Sequence, residues 1–263
     1  MSSGSEPRPP DPARLFPRSA RAGQSSRKVC FVIRSAEEFV AELRGLSHRY
    51  WGTHPFHQRM HAGDLSRDEL RTWAANRWYY QCVLPRKDAA IISNCPLPEI
   101  RRAWLDRIVY HDGRSDDDLD SGRERWLRLC EAAGLTRAEV LDERHVVPGV
   151  RFAVDAYVNF ARTRPWLEAV ASGLTEMFSG HLMQRRVADM LARYDWISSD
   201  DLAYFTNRID AVSGEGKSTL DIVVRYSVTA EQQDAAVAAL SFKCDVLWSV
   251  LDAIERAAHV RET

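Results

Sequence analysis

The sequence predicts an all-α protein, and three observations carry that expectation. Ser or Thr followed three residues later by Glu or Gln recurs along the chain, each time ahead of apolar residues at helical spacing. Strand signals are few, and none has a turn-linked partner run. The hydrophobic fraction is 45% of 263 residues, enough for a sizeable core.

The elements follow in order. Residues 1–29 are rich in Pro, Ser and Arg and lack apolar periodicity, so they are expected to form a disordered tail; a transit peptide is the weaker reading. Residues 30–263 are expected to form a single domain. Cys30–Ile33 is expected to be coil. Ser35 with Glu38 caps a helix carrying Phe39, Val40, Leu43 and Leu46. Ser66 with Glu69 opens a second helix that runs through Leu70 and Trp73 into ANRWYYQCVLPRKDAA, residues 75–90. Gly134 stops a helix, and Thr136 with Glu139 caps the next. VPGVRFAVDAYVNFAR breaks at Pro148–Gly149, then carries Val150, Val154, Tyr157 and Ala161 at helical spacing. IVVRYSV, 222–228, is β-branched but is expected to be helical. Thr229 with Gln232 opens a long last helix through Val237, Leu240, Val246, Leu247, Val250 and Leu251.

The charge balance excludes some classes. Lys and Arg number 36 and Asp and Glu 37, so no net charge draws the chain to nucleic acid or to a membrane. No apolar run approaches the roughly 20 residues of a membrane span. The five cysteines are scattered and include no C-x-x-C, which fits free thiols in a reducing cytosol. A cysteine nucleophile is the weaker reading, because none has a His partner nearby in sequence.

Two local patterns look like metal sites and are better read otherwise. His54, His57 and His61 would share one helical face, but no carboxylate is interleaved with them; local hydrogen bonding is the better reading. Asp116, Asp118 and Asp120 are spaced like a calcium loop, but Ser121 stands where such a loop needs Gly and Leu127 where it needs Glu. A solvated acidic loop fits better.

Residues 75–90 are apolar and charged on the same side. Arg77, Tyr80, Gln81, Leu84 and Asp88 fall on one helical stripe and Trp78, Tyr79 and Cys82 on another, while Pro85 removes a backbone donor and should kink the helix. Arg107 and His111, Glu176 and Arg186, Tyr204 and Arg208, and Lys243 sit in similar mixtures. Each alone could be a structural ion pair. Together they read as either a buried ion-pair network or the wall of one polar cavity for a planar anionic ligand.

The blocks NRWYYQ with LPRKDAAIISNCP, RRAWLDRIVYHDG, VPGVRFAVDAYVNFAR, LTEMF and FKCDVLW resemble the pyrroloquinoline-quinone synthase family over about residues 35–256. That resemblance implies a compact seven-helix haem-oxygenase-like bundle, a homodimer, cytoplasmic, with neither haem nor metal. It implies a cofactor-free oxidase for the last step of pyrroloquinoline quinone biosynthesis. The substrate is a bicyclic ortho-quinone with three carboxylates and an amine; ring closure and oxidation use molecular oxygen as co-substrate and release hydrogen peroxide. Carried over by matching motifs, substrate contacts fall on Tyr50, Arg77, Tyr80, Gln81, Arg107, Tyr157, Glu176, Arg186 and Lys243. The oxygen and proton-transfer group falls on His111, Tyr204 and Arg208. Two positions depart from the family: Trp51 and Met183 stand where it has histidine. A metal-free binding protein for the quinone, or a related oxidase with a repacked pocket and another substrate, is the alternative. A metal-dependent oxygenase would need ligands where Tyr204 and Arg208 stand.

Overall fold

The computed structural model describes residues 32–115 and 118–261, without the side chains of 210–213 and 259–261. The expected tail, Cys30 and Asp116 lie outside the described residues. Among the described residues there is no strand, and eleven α-helices take the place of the seven implied by resemblance. They are α1 Ala36–Gly45, α2 Pro55–Ala62, α3 Arg67–Asn94, α4 Pro98–Asp112, α5 Gly122–Ala132, α6 Arg137–Leu141, α7 Pro148–Thr163, α8 Trp166–Ala171, α9 Ser179–Arg193, α10 Ala203–Tyr226 and α11 Ala230–Arg261. The surplus comes from short pieces: α6, whose start Thr136 and Glu139 mark, and α8, which has no side-chain cap. Tight 3-10 turns at Leu46–Arg49, Trp51–Thr53 and Ser172–Phe178 fill three of the connections.

The helix starts obey local chemistry. Ser35, Ser66 and Thr136 each accept from the backbone N–H of the Glu three residues on, while that Glu accepts from the cap's own N–H. Each pair satisfies two donors that a helix start would otherwise leave open, worth about 1 kcal/mol per cap. Thr229 and Gln232 make the same exchange ahead of α11. Residues 222–226 continue α10 as helix, and Val32–Arg34 has no regular structure, both as expected.

The core falls into two apolar clusters. One gathers Phe56, Trp73, Trp78, Trp126, Phe205, Leu251 and their neighbours. The other gathers Phe39, Leu43, Ile91, Trp104, Ala169, Val170 and Leu240. Burying a ring such as Phe205 stabilises the fold by about 1.5–3 kcal/mol. Helices α3, α7 and α11 run through both clusters. Between the clusters the same helices carry polar residues: Arg77, Tyr80, Lys87 and Asp88 on α3, Tyr157 on α7 and Lys243 on α11, all buried. The mixed stripe of residues 75–90 therefore lies on the seam between two apolar bodies. The helix continues as one element through Pro85, which leaves the Gln81 carbonyl without its usual helical donor.

Candidate active site

An internal cavity of about 70 Å³ occupies this seam. Arg77, Tyr80, Leu84, Lys87 and Asp88 reach it from α3, Arg107 and His111 from α4, Tyr157 from α7, Met183 from α9, Tyr204, Arg208 and Glu215 from α10, and Lys243 and Leu247 from α11. Tyr50, Trp51, Thr175 and Glu176 close it from the 3-10 turns and their flanks. Ten of the twelve expected site residues line this one cavity. Gln81 and Arg186 do not. Gln81 lies behind the wall and accepts a hydrogen bond from the Tyr204 hydroxyl at 2.8 Å. Arg186 packs against the His57 ring, 3.0 Å from Nε2.

Local structure sets His111. It sits in the last turn of α4, and Gly113 ends that helix with φ +84°. The start of α5 then crosses close by at Gly122, where a Cβ would lie 3.2 Å from His111 Nδ1 and 3.0 Å from the Tyr110 ring. Only glycine leaves room for both rings at their present positions. Nδ1 of His111 is buried without a hydrogen-bond partner. Burial, and then the positive charges of Arg208, Lys87 and Arg107, hold its pKa well below the usual value. The ring is neutral at physiological pH and can accept a proton.

The cavity is electrically unusual. Five cationic side chains line it (Arg77, Lys87, Arg107, Arg208 and Lys243) against three carboxylates, Asp88, Glu176 and Glu215. Lys87 pairs with the adjacent Asp88. Arg107 donates to Glu176 at 2.7 Å and to the Thr219 hydroxyl at 2.9 Å. Arg208 grips Glu215 with two hydrogen bonds, 3.0 and 2.9 Å. Burial pushes both glutamates up. The Arg208 and Arg107 charges outweigh it at Glu215, whose pKa falls, while Glu176 stays raised.

Arg77 and Lys243 have no carboxylate. Arg77 lies 4.5 Å from the Trp51 ring centre and 4.4 Å from that of Tyr80, with Nε and Nη1 unbonded. Lys243 lies 3.5 Å from the centre of the Tyr157 ring and donates to the Tyr80 hydroxyl at 2.7 Å. Burial pulls the pKa of both down, and that of Lys243 well down. Faces of aromatic rings compensate part of the buried charge, each by about 0.5–2 kcal/mol. Near the same seam, burial and Arg77 bring Arg186 to about 10.

Both departures bear on this wall. Trp51 and Met183 line the cavity, and Trp51 meets the His57 ring edge-on at 5.0 Å. His181 is exposed and outside the cavity. The polar residues that the sequence reading did not assign to the site are Lys87, Asp88, Thr175, Ser179 and Glu215. Lys87 and Asp88 were visible as charges in an apolar helix. Glu215 lies in SGEGKS, whose glycines and serines read as a loop and hide a wall residue of a helix.

The three neighbouring histidines are each engaged elsewhere. His54 is the cap of α2 rather than a member of it, accepting from Phe56 N–H at Nδ1 and meeting Asp252 at 3.1 Å. His57 Nδ1 faces the Trp51 carbonyl at 2.9 Å, and His61 Nδ1 faces Asp189 at 2.8 Å. Among the described residues no group of three or more His, Cys, Asp or Glu side chains is placed to hold a metal. Cys82, Cys95, Cys130 and Cys244 are free thiols. Burial pushes Cys82 up to about 12, so it stays protonated. No helix among the described residues is long and apolar enough to cross a membrane.

Comparison with known proteins adds four findings. Residues 40–253 match the TENA/THI-4/PQQC family. A pyrroloquinoline-quinone synthase of Acidiphilium cryptum is 48% identical over 227 residues, covering 86% of this chain and 92% of that protein. A bifunctional coenzyme PQQ synthesis protein C/D of Methylorubrum extorquens is 49% identical over 221 residues; the match spans 84% of this chain but only 59% of that protein. In three dimensions the chain is similar to a domain of unknown function with a haem oxygenase-like fold from Shewanella denitrificans, with TM-score 0.73 and 11% identity, covering 88% of this chain and 97% of that one.

Proposed function

Because the chain belongs to the TENA/THI-4/PQQC family, we propose that it performs the last step of pyrroloquinoline quinone biosynthesis. The substrate is the bicyclic ortho-quinone with three carboxylates and an amine. The observation that carries this reading is the cation-rich seam, where Arg77 and Lys243 lie buried on aromatic faces without carboxylate partners. A flat polycarboxylate supplies both what these cations lack and what the rings of Tyr80 and Tyr157 can stack upon.

The residues divide by chemistry. Guanidinium and ammonium groups hold carboxylates before any bond changes. His111, neutral and unpartnered at Nδ1, takes a proton from the substrate as the third, pyrrole ring closes and oxidation proceeds. The quinone itself is the electron sink. Each two-electron oxidation passes two electrons and two protons to dioxygen, which leaves as hydrogen peroxide. Arg208, whose buried Nε has no partner, stands on the same wall to donate a hydrogen bond to reduced oxygen while its two Nη atoms hold a carboxylate, and Tyr204 joins it by turning its one hydroxyl proton from Gln81. In this reading no metal or organic cofactor takes part, and the enzyme works as a cytoplasmic homodimer.

The deciding experiment supplies the bicyclic precursor under air and follows product absorbance and peroxide together, with metal analysis of the same preparation. Product and peroxide from metal-free protein support the assignment. Binding without turnover would make this a quinone-binding protein. A second reading, an oxidase for a related acid, is favoured by Trp51 and Met183 on the cavity wall; neither binding nor turnover of the precursor would move the assignment there.

A further inference from the structure

Glu215 holds Arg208 through both carboxylate oxygens, the geometry with which a guanidinium recognises a ligand carboxylate. Its position is unusual in three respects. It is flanked by Gly214 and Gly216 inside α10. Two glycines weaken that turn by roughly 1 kcal/mol each relative to alanine. Gly216 also packs on the backbone of the segment that carries Glu176: a Cβ there would lie 3.0 Å from the Met177 nitrogen. Finally, Glu215 is half-buried while Arg208 is buried, so the carboxylate has solvent to retreat to and the guanidinium does not.

The cavity of about 70 Å³ is far smaller than a bicyclic tricarboxylate. Room must be made, and carboxylates already sit on three of its five cations. Asp88 is fixed beside Lys87 on α3, and Glu176 holds Arg107 through one oxygen only.

We propose that Glu215 is a placeholder carboxylate: it occupies Arg208 in the empty site and is displaced by a carboxylate of the planar quinone substrate. The proposal rests on the quinone reading of the site. Glu215 thus sets specificity by competition. A ligand with too few carboxylates cannot replace the pair and leaves the site closed. The charges facing Glu215 are Arg208, Arg107 and Lys87, with Glu176 beside it. Its departure exposes a positive wall and removes its like-charge neighbour from Glu176.

The test titrates pyrroloquinoline quinone into wild type, Glu215→Gln and Glu215→Asp, beside a monocarboxylate quinoline as the weak competitor. Glu215→Gln cannot form the charged pair, so it should bind the tricarboxylate about tenfold more tightly. Glu215→Asp, whose shorter arm loosens the grip, should shift the same way by less. The monocarboxylate should gain most, because the barrier to it is removed. Unchanged or weaker tricarboxylate binding by both variants, with melting temperatures near wild type, overturns the proposal and makes Glu215 a fixed support of Arg208. If Glu215→Gln folds poorly, Glu215→Asp decides by the same criterion. Failure of wild type itself to bind the quinone would instead overturn the functional reading.

Discussion

The Tyr204 hydroxyl donates to Gln81 Oε1 at 2.8 Å, and the amide nitrogen of Gln81 has no partner. Gln81, expected to touch substrate, thus anchors from behind a residue that lines the cavity. Gln81→Met should leave quinone affinity within about threefold of wild type and lower turnover by about tenfold to a hundredfold, the scale on which small misplacements act. Product titration and aerobic turnover on the same preparation check it. A large loss of affinity would return Gln81 to the binding wall.

Arg107 and His111 stand one turn apart on α4, and the proposed function gives them different duties. Arg107→Ala should weaken quinone binding by about 1.5–3 kcal/mol, and should also lower stability because Glu176 loses its partner. His111→Asn should bind the precursor and then stall, with turnover reduced about 10²- to 10⁴-fold. Mixing each variant with precursor without oxygen and then admitting air separates the two. Turnover by saturated His111→Asn at the wild-type rate would remove His111 from the chemistry.

Lys243 is a buried cation with no carboxylate partner. Lys243→Met keeps most of the volume and removes the charge, so the free protein should gain about 1 kcal/mol or more. Affinity for the quinone should fall by at least tenfold. Denaturant midpoints and product titration report the two effects. Loss of both stability and affinity would mean that Lys243 is held by its surroundings better than its contacts imply.

His57 and His111 both carry pKa values well below 6.5, through burial first and neighbouring arginines second. Between their folded values and 6.5 the unfolded chain binds more protons than the folded one. Stability is therefore fully present above about pH 6.5 and falls as pH drops, by up to about 1.4 kcal/mol per pH unit for each ring. His111→Gln should flatten the slope between pH 6.5 and 5 by one ring's share. An unchanged slope would show that His111 is already charged in the folded protein.

Much of this architecture was legible because it is locally encoded. Ser35, Ser66, Thr136 and Thr229 mark helix starts through contacts spanning three residues, and those starts are found. The seven-helix expectation, which the resemblance implied, was too coarse because it does not count short pieces such as α8, which has no side-chain cap of its own. The site was legible as an anomaly, charges where an apolar stripe belongs. What stayed hidden is non-local: the Gln81 contact with Tyr204 spans 123 positions and that of Arg186 with His57 spans 129. Glu215 was masked by glycines that signal turns in most contexts and here lie within a helix.

Three long helices thread both apolar clusters and the polar seam between them. Each cluster is built in part on α3, α7 and α11, so the two should share one unfolding transition despite the polar seam between them. A ligand in the seam then ties together both ends of the same three rods. Its binding energy should slow amide exchange not only around the cavity but also about one turn beyond it on either side of α3, near Trp73 and Ile91.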